Sequence, residues 1–212
     1  RYWKRLGASD YIDGQSGFLS LSTGIFRETI DPDELVESGI WPTSRLADFR
    51  FAVLHGKPGD GKSIELRQLH RDCEEREGSS IFVDLTQVPT LEEFRRETVD
   101  SEIWRRWLDG DGDLTCFIDS LDEGLFRIGR ILETLCRWLK DHPVDRLRIV
   151  IACRSADWPL APGSELAAIL GAGDDYRFEL CPLRYEDVML AVASCDVDSD
   201  EFSEWMMSNR LT

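Results

Sequence analysis

Asparagine is almost missing from this chain: Asn209 is its sole occurrence in 212 residues. A guanine reader of the Asn-Lys-x-Asp type is therefore excluded. Basic residues are also scarce, with 25 Lys and Arg against 41 Asp and Glu, for a formal net charge of -16. The average field repels phosphate, so no direct nucleic-acid binding and no membrane partner are expected. Cys-x-x-Cys pairs are absent. Cys73, Cys116, Cys136, Cys153, Cys181 and Cys195 are scattered, several within apolar runs, and read as reduced core residues of a cytoplasmic protein. No apolar run nears the roughly 18 residues of a membrane span, and no charged-then-apolar leader is visible, so a soluble protein is expected. Arg1 in place of an initiator Met, and a stop just past a helix-like stretch, suggest an excised piece of a longer chain.

What is present is 42% hydrophobic content, enough for one α/β core of ordinary size. Residues 1–49 mix aromatics with turn formers and show no sustained period, which predicts an irregular lead-in. From residue 50, short apolar runs alternate with amphipathic stretches, the pattern of a parallel sheet covered by helices. Five strands are predicted, at Phe51 to His55, Ile81 to Leu85, Leu114 to Asp119, Leu147 to Cys153 and Tyr176 to Leu180. Helices are predicted over Lys62 to Glu77, around Trp104 to Leu108, and along the stripe Ile128, Ile131, Leu132, Leu135, Trp138 and Leu139. Arg184 to Cys195 and Asp200 to Asn209 read as two more helices. The expected organisation is a core over 50–181, a three-layer sandwich around a five-stranded parallel sheet, followed by the start of a helical lid over 182–212.

The most specific signal is Gly56-Lys57-Pro58-Gly59-Asp60-Gly61-Lys62-Ser63, which fits G-x-x-x-x-G-K-[ST] between a predicted strand and a predicted helix. Glycines let successive backbone N–H groups turn inward around a β-phosphate, and the helix N-terminus adds its positive dipole end. Lys62 supplies a point charge, and the Ser63 hydroxyl suits Mg²⁺ bridging the β- and γ-phosphates.

A second signal is the apolar strand Leu114 to Ile118, which ends in Asp119 and is followed by Ser120-Leu121-Asp122-Glu123. Its carboxylate emerges at the carboxyl edge of the sheet, beside the phosphate loop, where it suits Mg²⁺. Asp122 or Glu123 then stands ready to orient or deprotonate water. The strand Leu147 to Cys153 ends in Arg154 at the same edge. Its guanidinium suits either a γ-phosphate oxygen or a salt bridge to Asp157 or the acidic loop.

Other features read as structural. Asp109-Gly110-Asp111-Gly112-Asp113 has Leu114 and Ser120 where a calcium loop needs Gly and Glu. His55, His70 and His142 lack metal-ligand spacing. Trp41-Pro42 fits the edge of a sheet better than an adenine pocket.

Taken together, Gly56 to Ser63, Phe117-Ile118-Asp119-Ser120-Leu121-Asp122-Glu123 and Ile151-Ala152-Cys153-Arg154-Ser155 resemble the NACHT group of STAND P-loop NTPases, over about residues 50 to 195. Ser120 fills the small position of that group's doubled acidic element. Cys153 to Pro159 and Leu183 to Val188 look like prokaryotic members, many of which act in defence against phage. The resemblance implies ATP or ADP with Mg²⁺ as cofactors and slow hydrolysis. It further implies self-oligomerisation in signalling, a trigger ligand such as a foreign protein, and an effector that these residues do not name. A permanently ADP-bound scaffold and an AAA+ remodelling ATPase are the rival readings.

Overall fold

A computed structural model of the chain describes residues 2–6, 39–76, 78–173 and 176–181, with Val188, Val192, Phe202 and Glu204 as single helical positions. The predicted helices over 184–195 and 200–209 otherwise lie outside the described residues, as does most of the segment 1–49. The chain divides into two compact units, one of residues 43–179 and one of residues 1–42 with 180–212.

In the larger unit, β3 (Phe51–His55), β4 (Ser79–Asp84), β5 (Leu114–Asp119), β6 (Leu147–Cys153) and β7 (Arg177–Leu180) form a parallel sheet in the order β7-β3-β6-β5-β4. Every residue of β3 and β5 is buried, as expected of strands covered on both faces. β4 ends the sheet and is only partly buried.

Side chains alternate between the two faces. On one face Phe51, Val53, Cys116, Ile118, Ile149 and Ile151 join a single core with α4 (Leu121–Ile128), α5 (Ile131–Leu139) and α6 (Leu160–Ile169). α2 (Leu91–Glu97) and α3 (Glu102–Asp109) add Phe94, Trp104 and Trp107 to it. The opposite face packs on α1 (Lys62–Glu75), where the His70 ring meets Phe82 and Phe117 at 5.4 and 5.7 Å. The result is a three-layer α/β sandwich.

Three local expectations need correction. The lead-in is not wholly irregular: β1 (Tyr2–Arg5) and β2 (Ile40–Pro42) pair antiparallel, Trp3 opposite Trp41, so the described residues hold seven strands where five were expected. Their shortness and wide separation leave no period to detect. The stripe from Ile128 to Leu139 is two helices, because Gly129 at φ 77° breaks the chain after Ile128. The third concerns α2 and α6, which were not expected. α2 starts at an N-cap, the Thr90 hydroxyl oxygen accepting the Glu93 N–H at 3.2 Å. α6 has Pro162 and Gly163 in its first turn, where both are tolerated but read as a loop.

Candidate functional site

The phosphate loop leaves β3 and enters α1. Gly59 and Gly61 take φ 87° and 90°, the left-handed region that glycine enters without steric cost. Gly56 contributes differently: a Cβ there would lie 2.9 Å from Asp60 Oδ2 and 3.3 Å from Lys62 Cδ, so both side chains would have to shift. Asp60 turns back to accept the Lys57 N–H, closing the loop on itself. Lys62 Nζ donates to the carbonyls of Gly56 and Lys57, each at 2.9 Å, so the ammonium is held inside the curve of the loop. No side chain of the N-cap residue Gly61 caps α1, and while the Ile64 N–H bonds the Gly61 carbonyl at 3.0 Å, the N–H groups of Lys62 and Ser63 are left for a ligand.

Strand order places the rest. β6 lies between β3 and β5, and His55 pairs in register with Cys153, so Arg154 leaves β6 beside the point where Gly56 leaves β3. Asp119 ends β5 on the α1 face, and its Oδ1 accepts the Ser63 hydroxyl at 3.0 Å. Asp119 is 2% exposed, and burial raises its pKa against the opposing pull of hydrogen bonds from Ser63 and the Ser120 N–H. A buried carboxylate and a hydroxyl at this separation, beside an ammonium and free helix N–H groups, fit Mg²⁺ with a polyphosphate.

Ser120 turns the end of β5 into α4 at φ 59°, the sole positive-φ residue other than glycine among the described residues. A β-branched or bulky residue would be strained there, which accounts physically for a small side chain at this point. In α4, Gly124 is a residue that motif reasoning missed. A Cβ on it would meet Leu85 Cδ1 at 2.8 Å and Ile131 Cδ1 at 2.9 Å, so α4 can seat this closely only with glycine.

The two acids after Asp119 differ in their surroundings. Asp122 has a 10% exposed side chain and is tied to Arg154 twice: Oδ2 lies 2.8 Å from Nε, and Oδ1 accepts the Arg154 backbone N–H at 3.3 Å. Glu123 is 45% exposed and 3.8 Å from Arg154 Nη2. Of the two partners expected for an Arg154 salt bridge, the acidic element is the one found, rather than Asp157.

Pro58, Gly59, Gly61, Lys62, Ser63, Asp119, Asp122, Glu123 and Arg154 line one cleft of about 420 Å³, to which Ile64, Ser120 and Ala152 also contribute. Gly56, Lys57 and Asp60 shape the loop behind it.

The features read as structural lie elsewhere. The Asp109 to Asp113 turn is held by Arg146, which donates to Gly112 O at 2.8 Å, and by Arg148, which donates to Asp113 Oδ2 at 2.6 Å. His142 Nδ1 meets Trp138 O at 2.7 Å. Cys73, Cys116, Cys136 and Cys153 are free thiols, and burial pushes Cys116 and Cys153 up to about 12. Among the described residues, no helix is long and apolar enough to cross a membrane.

No protein-family model matches the chain, and no curated protein matches it. Solved structures similar to it include the Thermotoga maritima RuvB Holliday junction branch migration motor, at 14% identity over 80% of this chain and 53% of that one, TM-score 0.45. Another is Cdc6p from Pyrobaculum aerophilum, at 16% identity over 67% of this chain and 41% of that one, TM-score 0.43. A third is the P-loop NTPase domain of the sigma-54 transport activator from E. coli, at 19% identity over 63% of this chain and 93% of that one, TM-score 0.33. The chain spans about half the length of the first two. What the cleft can do follows from its own geometry.

Proposed function

We propose that the chain is an ATP-binding and slowly ATP-hydrolysing switch of the NACHT type within the STAND NTPases, working by nucleotide-dependent self-assembly, with prokaryotic defence against phage as its setting. The observation that carries the nucleotide reading is the Ser63 to Asp119 hydrogen bond at 3.0 Å, made inside a cleft that also holds Lys62, Glu123 and Arg154. The doubled acidic element and Arg154 support the NACHT assignment over other P-loop groups.

Each residue's part follows from its position. The loop N–H groups and Lys62 bind the phosphates, while Ser63 and Asp119 hold the metal. Bound there, Mg²⁺ would neutralise charge on the β- and γ-phosphates. Asp122 is already committed to Arg154, so Glu123, more exposed and less tightly held, is the carboxylate that takes a proton from water. Arg154 is held at the mouth of the cleft by Asp122, where its guanidinium senses a γ-phosphate. Low turnover suits a device whose output is a shift of population rather than product.

Equilibrium binding of a fluorescent ATP analogue tests the assignment. Lys62→Ala should weaken it by about tenfold or more, since the substitution deletes the ammonium held by the Gly56 and Lys57 carbonyls. Unchanged affinity would remove the phosphate-site reading.

A further inference from the structure

Beyond the cleft, a second row of polar contacts runs parallel to the Ser63–Asp119 pair. α1 carries Ser63 and Arg67 four residues apart, hence on one helical face. The strand residues they meet are matched as well: Asp119 and Asp84 are register partners at the ends of β5 and β4. Ser63 donates to Asp119 at 3.0 Å, and Arg67 Nη2 donates to Asp84 Oδ2 at 2.9 Å while its guanidinium lies 5.0 Å from the Phe82 ring centre. Leu66 and Leu69 already pack α1 on the sheet, and the two polar rungs add directional contacts that fix its rotation.

Asp84 is fully engaged. Its Oδ1 accepts the Thr86 N–H at 3.0 Å and the Thr86 hydroxyl at 2.6 Å. Burial works to raise its pKa, but the hydrogen bonds from Thr86 and Arg67 outweigh it and hold the carboxyl below the usual range. Thr86 passes the connection on: its carbonyl accepts Arg127 Nη1 at 2.6 Å, and Arg127 belongs to α4, the helix that carries Asp122 and Glu123. The turn after β4 is thus bonded to α1, with the metal-binding hydroxyl, and to α4, with the water-activating acid, although these helices cover opposite faces of the sheet.

We propose that Asp84 is a positioning residue: through Arg67 it sets the turn of α1 that holds Ser63 at Asp119, and through Thr86 and Arg127 it sets α4 and the acidic pair. The inference rests on the nucleotide reading given above. It separates the two arms, because Arg67 acts on metal binding and Arg127 on hydrolysis.

The test uses the full chain, with affinity for a non-hydrolysable ATP analogue measured in EDTA and across a Mg²⁺ titration, and single-turnover hydrolysis measured alongside. Arg67→Ala should raise the Mg²⁺ concentration for half-maximal binding by about tenfold, the low end of what losing a supporting partner costs a metal site. Its affinity in EDTA should stay within about twofold of wild type, and Arg67→Lys should recover part of the loss. Arg127→Ala should slow hydrolysis by about tenfold with the Mg²⁺ requirement unchanged, and Asp84→Asn should show both defects. Parallel losses in EDTA and in Mg²⁺ would mean a merely structural pair and overturn the proposal, as would unchanged hydrolysis in Arg127→Ala. A wild-type chain indifferent to Mg²⁺, with Lys62→Ala also silent, would instead remove the nucleotide reading and this inference with it.

Discussion

Asp122 holds Arg154 by two contacts, 2.8 Å to Nε and 3.3 Å to the backbone N–H, so the acid that follows β5 anchors the arginine that follows β6. The pair joins the α4 start to the β6 exit and sets where the guanidinium stands at the cleft.

That coupling makes a thermodynamic cycle informative. Asp122→Ala and Arg154→Ala should each lower the single-turnover rate by roughly tenfold, and the double variant should lose little more than either single one, because the two act as one unit. Glu123→Gln should behave differently, binding ATP as well as wild type while hydrolysis falls by about a hundredfold or more. Additive losses from Asp122 and Arg154, or wild-type hydrolysis in Glu123→Gln, would count against these roles. Stability should change little in the pair, since the ion pair is partly exposed and such bridges contribute only about 0–1 kcal/mol.

Asp119 leads to a prediction of opposite sign for stability and function. Burial raises its pKa, so the folded state holds this proton more tightly than the unfolded chain does. Stability contributed by that proton is fully present below the usual carboxylate pKa and is lost as pH rises through the raised pKa of the folded state, leaving a destabilising charge above it. Asp119→Asn keeps the shape and an acceptor for Ser63 but removes the charge. In the absence of nucleotide and Mg²⁺ it should therefore melt higher than wild type, by about 2–4 °C for each kcal/mol gained. The additional stabilisation that Mg²⁺ confers on the nucleotide-bound chain should vanish. Thermal unfolding with and without MgATP reads both effects. A lower melting temperature without ligand would show that the buried charge is not a burden to the fold.

The elements that carry the cleft were the legible ones. β3, β5 and β6 are buried on both faces and so appear as unbroken apolar runs, and the phosphate loop announces itself by residue identity. Contacts that depend on strand order were not legible: nothing local in Arg154 says that β6 is inserted between β3 and β5, or that its partner is Asp122 rather than Asp157. Gly124 and Gly163 show the same limit. Each is a glycine within a helix, which propensity counts as a defect, yet a Cβ on Gly163 would sit 2.4 Å from Trp158 and one on Gly124 would strike Leu85. Only the packed structure explains them. The Asp84 turn escaped for a related reason, since Arg67, Asp84, Thr86 and Arg127 match no motif and meet only when α1, β4 and α4 are assembled.

His55 immediately precedes the phosphate loop and carries the clearest pH signature of the fold. It is 2% exposed, packed edge-on against Trp158 at 5.8 Å, and its pKa is lowered from 6.5 to about 4. Burial is the main cause, with the positive charges of Arg177 and Lys62 adding to it and the Cys153 backbone opposing. Between pH 4 and 6.5 the unfolded chain binds a proton that the folded chain refuses, so stability should fall as pH drops through that window. A shift of this size corresponds to an upper limit of about 3 kcal/mol. Urea midpoints measured from pH 7 to pH 4 should therefore decline in the wild type, and the decline should be visibly shallower in His55→Gln, which cannot take up the proton. The comparison isolates His55 from the carboxylates, whose contributions are common to both proteins. Because Gly56 follows His55 directly, protonation should also disturb the phosphate loop, and ATP affinity should fall over the same interval in the wild type but not in the variant. Identical pH profiles for the two proteins would mean that His55 titrates normally and that the loop does not sense it.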